Sequence, residues 1–167
     1  LAQALQYLPN LTYLDLGTCK LPSDSIKAIN EQFEDLEIVW TIELYGTPVR
    51  TDTEKISFGG RTVGSLSVLE NSMKYLPNVK YIDLCHSGLS NETLAKFRDA
   101  HPGVKVVWTV SLGGRWTLRT DATAFSTLES TYNKLRLPGS SFAALKYCTD
   151  LRALDLSEAL KALIGWE

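Results

Sequence analysis

The sequence predicts an α/β repeat protein, a solenoid of stacked turns forming one domain, and three observations predict it. Tyr7-Leu8-Pro9-Asn10 recurs 68 residues later as Tyr75-Leu76-Pro77-Asn78, and again as Tyr147-Cys148-Thr149-Asp150 after a further 72. Leu36–Ile42 and Val104–Val110, each centred on a Val-Trp-Thr triplet, recur at the same offset of 68. Between these segments lie stretches of helical periodicity, so the repeating unit mixes strands and helices.

In chain order, each unit begins with an LxxLxL spacing: Leu11, Leu14 and Leu16; Val79, Ile82 and Leu84; Leu151, Leu154 and Leu156. The last two apolar residues of each trio point the same way from a short strand. Tyr13 and Asp15, Tyr81 and Asp83, and Ala153 and Asp155 point the other way. A helix follows over Ser23–Phe33, with Ser23 as its cap and Ile26, Ile29, Asn30 and Phe33 on one stripe. Its second copy starts at Asn91, expected as the cap, and His101-Pro102-Gly103 ends it.

A strand follows each helix. Ile38, Trp40, Ile42 and Leu44 alternate with Val39, Thr41 and Glu43; Val106, Trp108, Val110 and Leu112 alternate with Val107, Thr109 and Ser111. Period two over seven residues predicts one continuous strand with one buried face. Tyr45-Gly46 and Gly113-Gly114 then mark turns into hairpin arms ending at Val49 and Leu118. Short strands at Ile56–Phe58 and Phe125–Thr127, and helices at about Val68–Tyr75 and Phe142–Tyr147, complete the unit. Units span about 1–68 and 69–140, with a partial third at 141–167. Ser157–Leu163 repeats the Ser23–Ile29 pattern and suits a terminal cap.

These LxxLxL segments with following helices resemble the leucine-rich-repeat superfamily. The long unit with its Trp strand resembles divergent repeats in large surface proteins of Firmicutes. The resemblance implies a right-handed solenoid, with a parallel sheet on one side and helices on the other. It also implies recognition of a macromolecule and a secreted or cell-surface setting. The family's asparagine after LxL is missing, with Gly17, Cys85 and Ser157 in its place.

Composition narrows the function. Hydrophobic residues make up 44% and charged residues 22%, with a net charge of −2, which suits a packed domain. No basic run marks a nucleic-acid surface and no 18-residue apolar stretch implies membrane insertion. The chain starts within a repeat and without Met, as a piece of a longer protein would. Cys19, Cys85 and Cys148 form no CxxC pair and read as small buried or half-buried hydrophobes.

Enzymatic constellations are weak, so the sequence reads as no enzyme, with no cofactor and no metal. His86 and His101 are the two histidines. Adjacent strand residues such as Cys85 and His86 point to opposite faces, which disfavours a dyad. Gly59-Gly60-Arg61 and Gly113-Gly114-Arg115 lack the phosphate-loop spacings and read as tight turns, and Ser140-Ser141 lacks a nucleophile context. Asp15, Asp83 and Asp155 read as polar rungs, too far apart for a calcium site. Arg50-Thr51-Asp52 and Arg119-Thr120-Asp121 read as ties from hairpin arm to body. Trp40 and Trp108 share parity with core residues, with exposed anchoring as the alternative.

The expected binding surface is therefore the outward strand face: Tyr13, Asp15, Lys80, Tyr81 and Asp83, a mix of aromatic and charged groups. Its partner would be a protein or a glycan. A spacer role in a larger surface protein is the alternative, and exposed terminal turns allow a homodimer.

Overall fold

A computed structural model describes residues 1–17, 19, 21–113, 116–127 and 139–156. The expected terminal cap at Ser157–Leu163, and Gly114-Arg115, lie outside the described residues. The chain forms two compact units, one of Leu1–Ile56 with Leu66–Lys80, the other of Ser57–Ser65 with the chain from Tyr81 onward.

In the first unit a short helix α1 (Ala2–Leu5) leads to strand β1 (Tyr13–Asp15), helix α2 (Ser23–Gln32) and strand β2 (Glu37–Val39). Strands β1 and β2 pair in parallel, Tyr13 opposite Glu37 and Asp15 opposite Val39. Parallel neighbours need a crossover, which α2 supplies while burying Ile26 and Ile29. The chain continues through Trp40 into β3 (Thr41–Leu44) and returns antiparallel as β4 (Thr47–Arg50). Tyr45 and Gly46 join them with φ of 51° and 73°, the two positive values of a type I′ hairpin turn. Strand β5 (Lys55–Ser57) follows, and later α3 (Ser67–Ser72), which tightens into a 3-10 turn at Met73–Tyr75.

The second unit repeats this plan. Strand β6 (Tyr81–Asp83), helix α4 (Asn91–Ala100) and strand β7 (Lys105–Val107) form a parallel crossover. Strands β8 (Thr109–Gly113) and β9 (Trp116–Arg119) form the hairpin, with a bulge between Ser111 and Gly113. Strand β10 (Ala124–Ser126) then pairs in parallel with β11 (Ala153–Asp155), and a 3-10 segment, Gly139–Tyr147, lies between them in sequence.

One expected strand per unit is in fact two. At Trp40 the chain leaves the parallel pair and enters the hairpin. Trp40 N–H donates to Thr51 Oγ1 at 3.1 Å, and Thr51 N–H donates to Trp40 O at 2.9 Å. Trp108 and Thr120 make the same two bonds at 3.1 and 2.9 Å. Both tryptophans are core residues, 3% and 1% exposed, and both threonines are 4% exposed. A buried backbone group without a partner is costly, so this clasp is what allows the strand to change sheets inside the core.

The expected right-handed solenoid, with one parallel sheet flanked by helices, is not what forms. The described residues make small separate sheets of two or three strands, none of them curled. The physical reason lies in the same junction. A strand, a helix and a second strand satisfy the LxxLxL pattern as a single parallel crossover. The following hairpin is antiparallel, so the pairing cannot extend into a continuous parallel ladder.

Two helix caps also differ from expectation. Pro22 holds the cap position of α2, not Ser23. At α4 it is Ser90 that accepts the Thr93 N–H, at 3.2 Å. Asn91 instead accepts the indole N–H of Trp108 at 3.0 Å. Of the cysteines, Cys148 is buried and Cys85 half-buried, but Cys19 is exposed. Among the described residues, no helix is long and apolar enough to cross a membrane.

Thr51→Val and Thr120→Val keep side-chain shape and remove the acceptor for a buried N–H. Each is expected to lower unfolding free energy by about 1–3 kcal/mol in urea titrations, with an unchanged m-value.

Candidate functional site

The outward strand face exists in both units, but its polar groups are largely occupied. Arg50, at the end of β4, donates through Nη2 to Asp15 Oδ2 at 3.0 Å and to Asp52 Oδ2 at 2.8 Å. Asp15 Oδ1 also accepts the Gly17 N–H at 2.7 Å. Arg119, at the end of β9, reaches Asp83 Oδ2 at 3.1 Å and Asp121 Oδ1 at 3.0 Å. The Arg-Thr-Asp triplets thus tie each hairpin arm to its parallel strand, as their repetition suggested. Lys80 is ion-paired to Glu54.

The position after each LxL differs between copies for a steric reason. A Cβ on Gly17 would lie 2.4 Å from Arg50 Nη1, so glycine leaves room for the guanidinium. Cys85 holds that position in the second unit, where its Sγ lies 3.3 Å from Arg119 Nη1. Desolvation pushes the Cys85 thiol above its ordinary pKa, so it stays protonated at neutral pH.

Electrostatics follow the geometry. The Arg50 bond and then the Gly17 N–H hold the Asp15 carboxyl below its usual range. Burial alone would raise Asp83, but the Cys85 backbone N–H and thiol and the Arg119 guanidinium together bring it below the ordinary value. Asp52 and Asp121 are lowered by their own arginine partners. Among the described residues, no group of three or more His, Cys, Asp or Glu is placed to hold a metal ion.

The five expected binding residues therefore separate into two sets. Tyr13, Asp15 and Lys80 belong to the first unit, Tyr81 and Asp83 to the second. Tyr81 OH accepts from Arg119 Nη2 at 2.8 Å, which fixes the ring. Tyr13 is 48% exposed and forms no hydrogen bond among the described residues. Asp15, Asp83 and Lys80 are engaged within the chain, leaving Tyr13 as the free member.

A cleft beside Tyr13 escaped the sequence reading. It has a volume of about 340 Å³ and is lined by Asn30, Glu34, Asp35, Glu37, Trp40, Tyr75 and neighbouring residues. Glu37 is the register partner of Tyr13, so the two stand side by side on one sheet face. Trp40 and Tyr75 meet edge to face at 5.6 Å between centroids. The indole N–H of Trp40 is buried without a partner among the described residues.

The repeat supplies an internal comparison. At the matching place in the second unit the cleft is about 180 Å³ and lined by Arg98, Lys105, Thr120, Asp121 and Asp150. Arg98 holds the position of Asn30, Lys105 that of Glu37 and Asp150 that of Asn78. Arg98 lies over the Trp108 ring at 5.3 Å and donates to Tyr147 O at 3.1 Å. Lys105 and Asp150 pair at 2.6 Å. The second cleft is the smaller and carries its own cations, Arg98 and Lys105; the first has about twice its volume, with Glu34, Asp35 and Glu37 exposed and unpaired among the described residues. The signal that could have found it was the reversal of charge at matched repeat positions.

No protein-family model matches the chain, and neither does any curated protein or solved structure. The likeness to leucine-rich repeats accordingly rests on the LxxLxL segments alone.

Asp15, Asp52, Asp83 and Asp121 all have folded-state pKa values below their unfolded ones. Their contribution to stability is therefore complete above about pH 4 and is lost as pH falls through the lowered values. Arg119→Met should lower the melting temperature at pH 7 more than Arg50→Met, because Asp83 is the less exposed carboxylate of the two. Both losses should shrink towards pH 2. Differential scanning calorimetry across that range checks this, and equal losses at pH 7 and pH 2 would contradict the ion-pair account.

Proposed function

We propose that the chain is a non-catalytic recognition module that binds a protein or a glycan through the face of its first unit, centred on Tyr13 and the adjoining cleft. The observation that carries this reading is the asymmetry between two copies of one design. In the second unit the tyrosine hydroxyl is held by Arg119 and the cleft is narrowed by Arg98 and the Lys105–Asp150 pair. In the first unit the matching tyrosine hydroxyl has no hydrogen-bond partner among the described residues, and the matching cleft is about twice as large.

The composition of this face supports binding. A half-exposed tyrosine offers a large ring area at low conformational cost, next to carboxylate and amide groups that can take directed hydrogen bonds. Asp15 adds to the face as an ion-paired carboxylate, and the Arg50 bond holds it in one position.

Tyr13→Ala is expected to leave the circular dichroism spectrum unchanged and to shift stability by about 0.5 kcal/mol or less, as for an exposed site. In a combined pull-down and glycan-array screen the same variant should lose the ligand that wild type captures, whereas Tyr81→Phe should retain it. Silence from a well-folded wild-type protein would reject recognition and leave the spacer role.

A further inference from the structure

We propose that the segment from Leu1 to Asp15 is the docking surface for a further unit of the same design, one that precedes it in the polypeptide, with Tyr7 lying over that unit's tryptophan. Leu1, Tyr7 and Leu8 correspond to Leu69, Tyr75 and Leu76 at the offset of 68, and Tyr7-Leu8 corresponds again to Tyr147-Cys148. Two copies of this segment are covered and one is bare. Leu69 is fully buried, Leu76 and Cys148 are 2% and 5% exposed, and Tyr147 is 7% exposed. Leu8 is 52% exposed, Tyr7 is 84% exposed, and Leu1 is exposed as well. Single exposed apolar residues are common on proteins, but here each one has a buried counterpart at the same repeat position.

In each described unit the strand junction at the tryptophan receives this tyrosine. Tyr75 meets Trp40 edge to face at 5.6 Å between centroids, and Tyr147 meets Trp108 at 6.1 Å. Helix α4 adds two bonds: Tyr147 OH donates to Glu92 Oε1 at 2.7 Å, and Arg98 donates to Tyr147 O at 3.1 Å. In both units the tyrosine follows its tryptophan along the chain, so the unit that Tyr7 closes lies before it. A second copy of this chain does not meet the need, because Trp40 and Trp108 already carry their own tyrosines.

The strand at the end of the segment is open on the matching side. Strand β11, the counterpart of β1, takes β10 in parallel: Ala153 N–H donates to Thr123 O at 3.1 Å, and Thr127 N–H donates to Asp155 O at 3.0 Å. Among the described residues β1 pairs only with β2. Glu37 N–H donates to Thr12 O and Leu16 N–H to Val39 O, so the alternation turns the main-chain groups of Tyr13 and Asp15 away from β2. Their counterparts in β11 are the groups that hold β10. An unpaired edge is a template for another strand, and a preceding unit supplies one from its own counterpart of Ala124–Ser126. Such pairing engages the Tyr13 backbone and not its ring, so this surface and the proposed binding face stand or fall separately.

A fusion that repeats residues 1–68 ahead of the whole chain tests the proposal. Because the repeat offset is 68, Val68 of the added copy joins Leu1 as Val68 joins Leu69, and the original Tyr7 takes the place of Tyr75. With only the original chain ¹⁵N-labelled by ligation, its Tyr7 and Leu8 amides are expected to exchange with solvent at least about tenfold more slowly than in the chain alone. Tyr7→Ser at this inner site should remove the protection and lower the urea midpoint, while the same change in the added, outer copy should leave both unchanged. Unslowed exchange, an added unit that stays unfolded, or equal tolerance of the two substitutions overturns the proposal. Exchange in the unsubstituted fusion decides the matter should the inner variant not fold. The chain alone should sediment as a monomer. A dimer that Tyr7→Ser abolishes would assign the surface to a second copy and overturn the proposal as well.

Discussion

Each unit depends on a buried backbone junction. Trp40 must give up the hydrogen bonds of one sheet before it takes those of the next, inside a core where no water can substitute. Thr51 satisfies both of its main-chain groups, one through its hydroxyl and one through its own N–H. Because those bonds fix where β4 ends, they also fix Arg50 and Asp52 on either side of Thr51. The guanidinium then falls within reach of Asp15, and the outward face inherits its charge pattern from the clasp beneath it. Thr120 sets Arg119 against Asp83 by the same route.

Much of the element order was legible in the sequence because it rests on local rules. Alternation found β3 and β8, the positive-φ pair Tyr45-Gly46 announced a hairpin, and the Arg-Thr-Asp triplets announced ties to the body. Parity also placed Trp40 and Trp108 in the core. What misled was the assumption that seven alternating residues pair with one neighbour. Periodicity reports which side of a chain is buried, not which strand accepts its hydrogen bonds, so the change of sheet at each tryptophan was invisible. The solenoid reading fell with that assumption. The caps failed for a smaller reason: Ser90 and Asn91 are both good capping residues, and only the demand of the Trp108 indole for an acceptor decides between them.

The site was legible in part. Tyr13 was placed outward by its strand parity, but the same parity could not reveal that Asp15, Asp83 and Tyr81 would be claimed by arginines 35, 36 and 38 residues away. The cleft needed a different comparison, between copies instead of along one. Where two copies share a scaffold, residues that agree describe the scaffold, and residues that differ in charge describe what each copy does with it.

That last step rests on energetics. Exposed ion pairs contribute little to stability, so the Lys105–Asp150 pair adds little to folding and the unpaired Glu37 costs little in water. Closing or opening the cleft rim is thus close to neutral for the fold. The aromatic walls are another matter, since Trp40 and Trp108 are fully committed to the core and cannot be exchanged without loss. A duplicated unit of this kind therefore holds its walls constant while its rim is free to vary. The rim of the first unit accordingly carries Glu34, Asp35 and Glu37 with Lys74 beside Tyr75, where the second carries Arg98, Lys105 and Asp150.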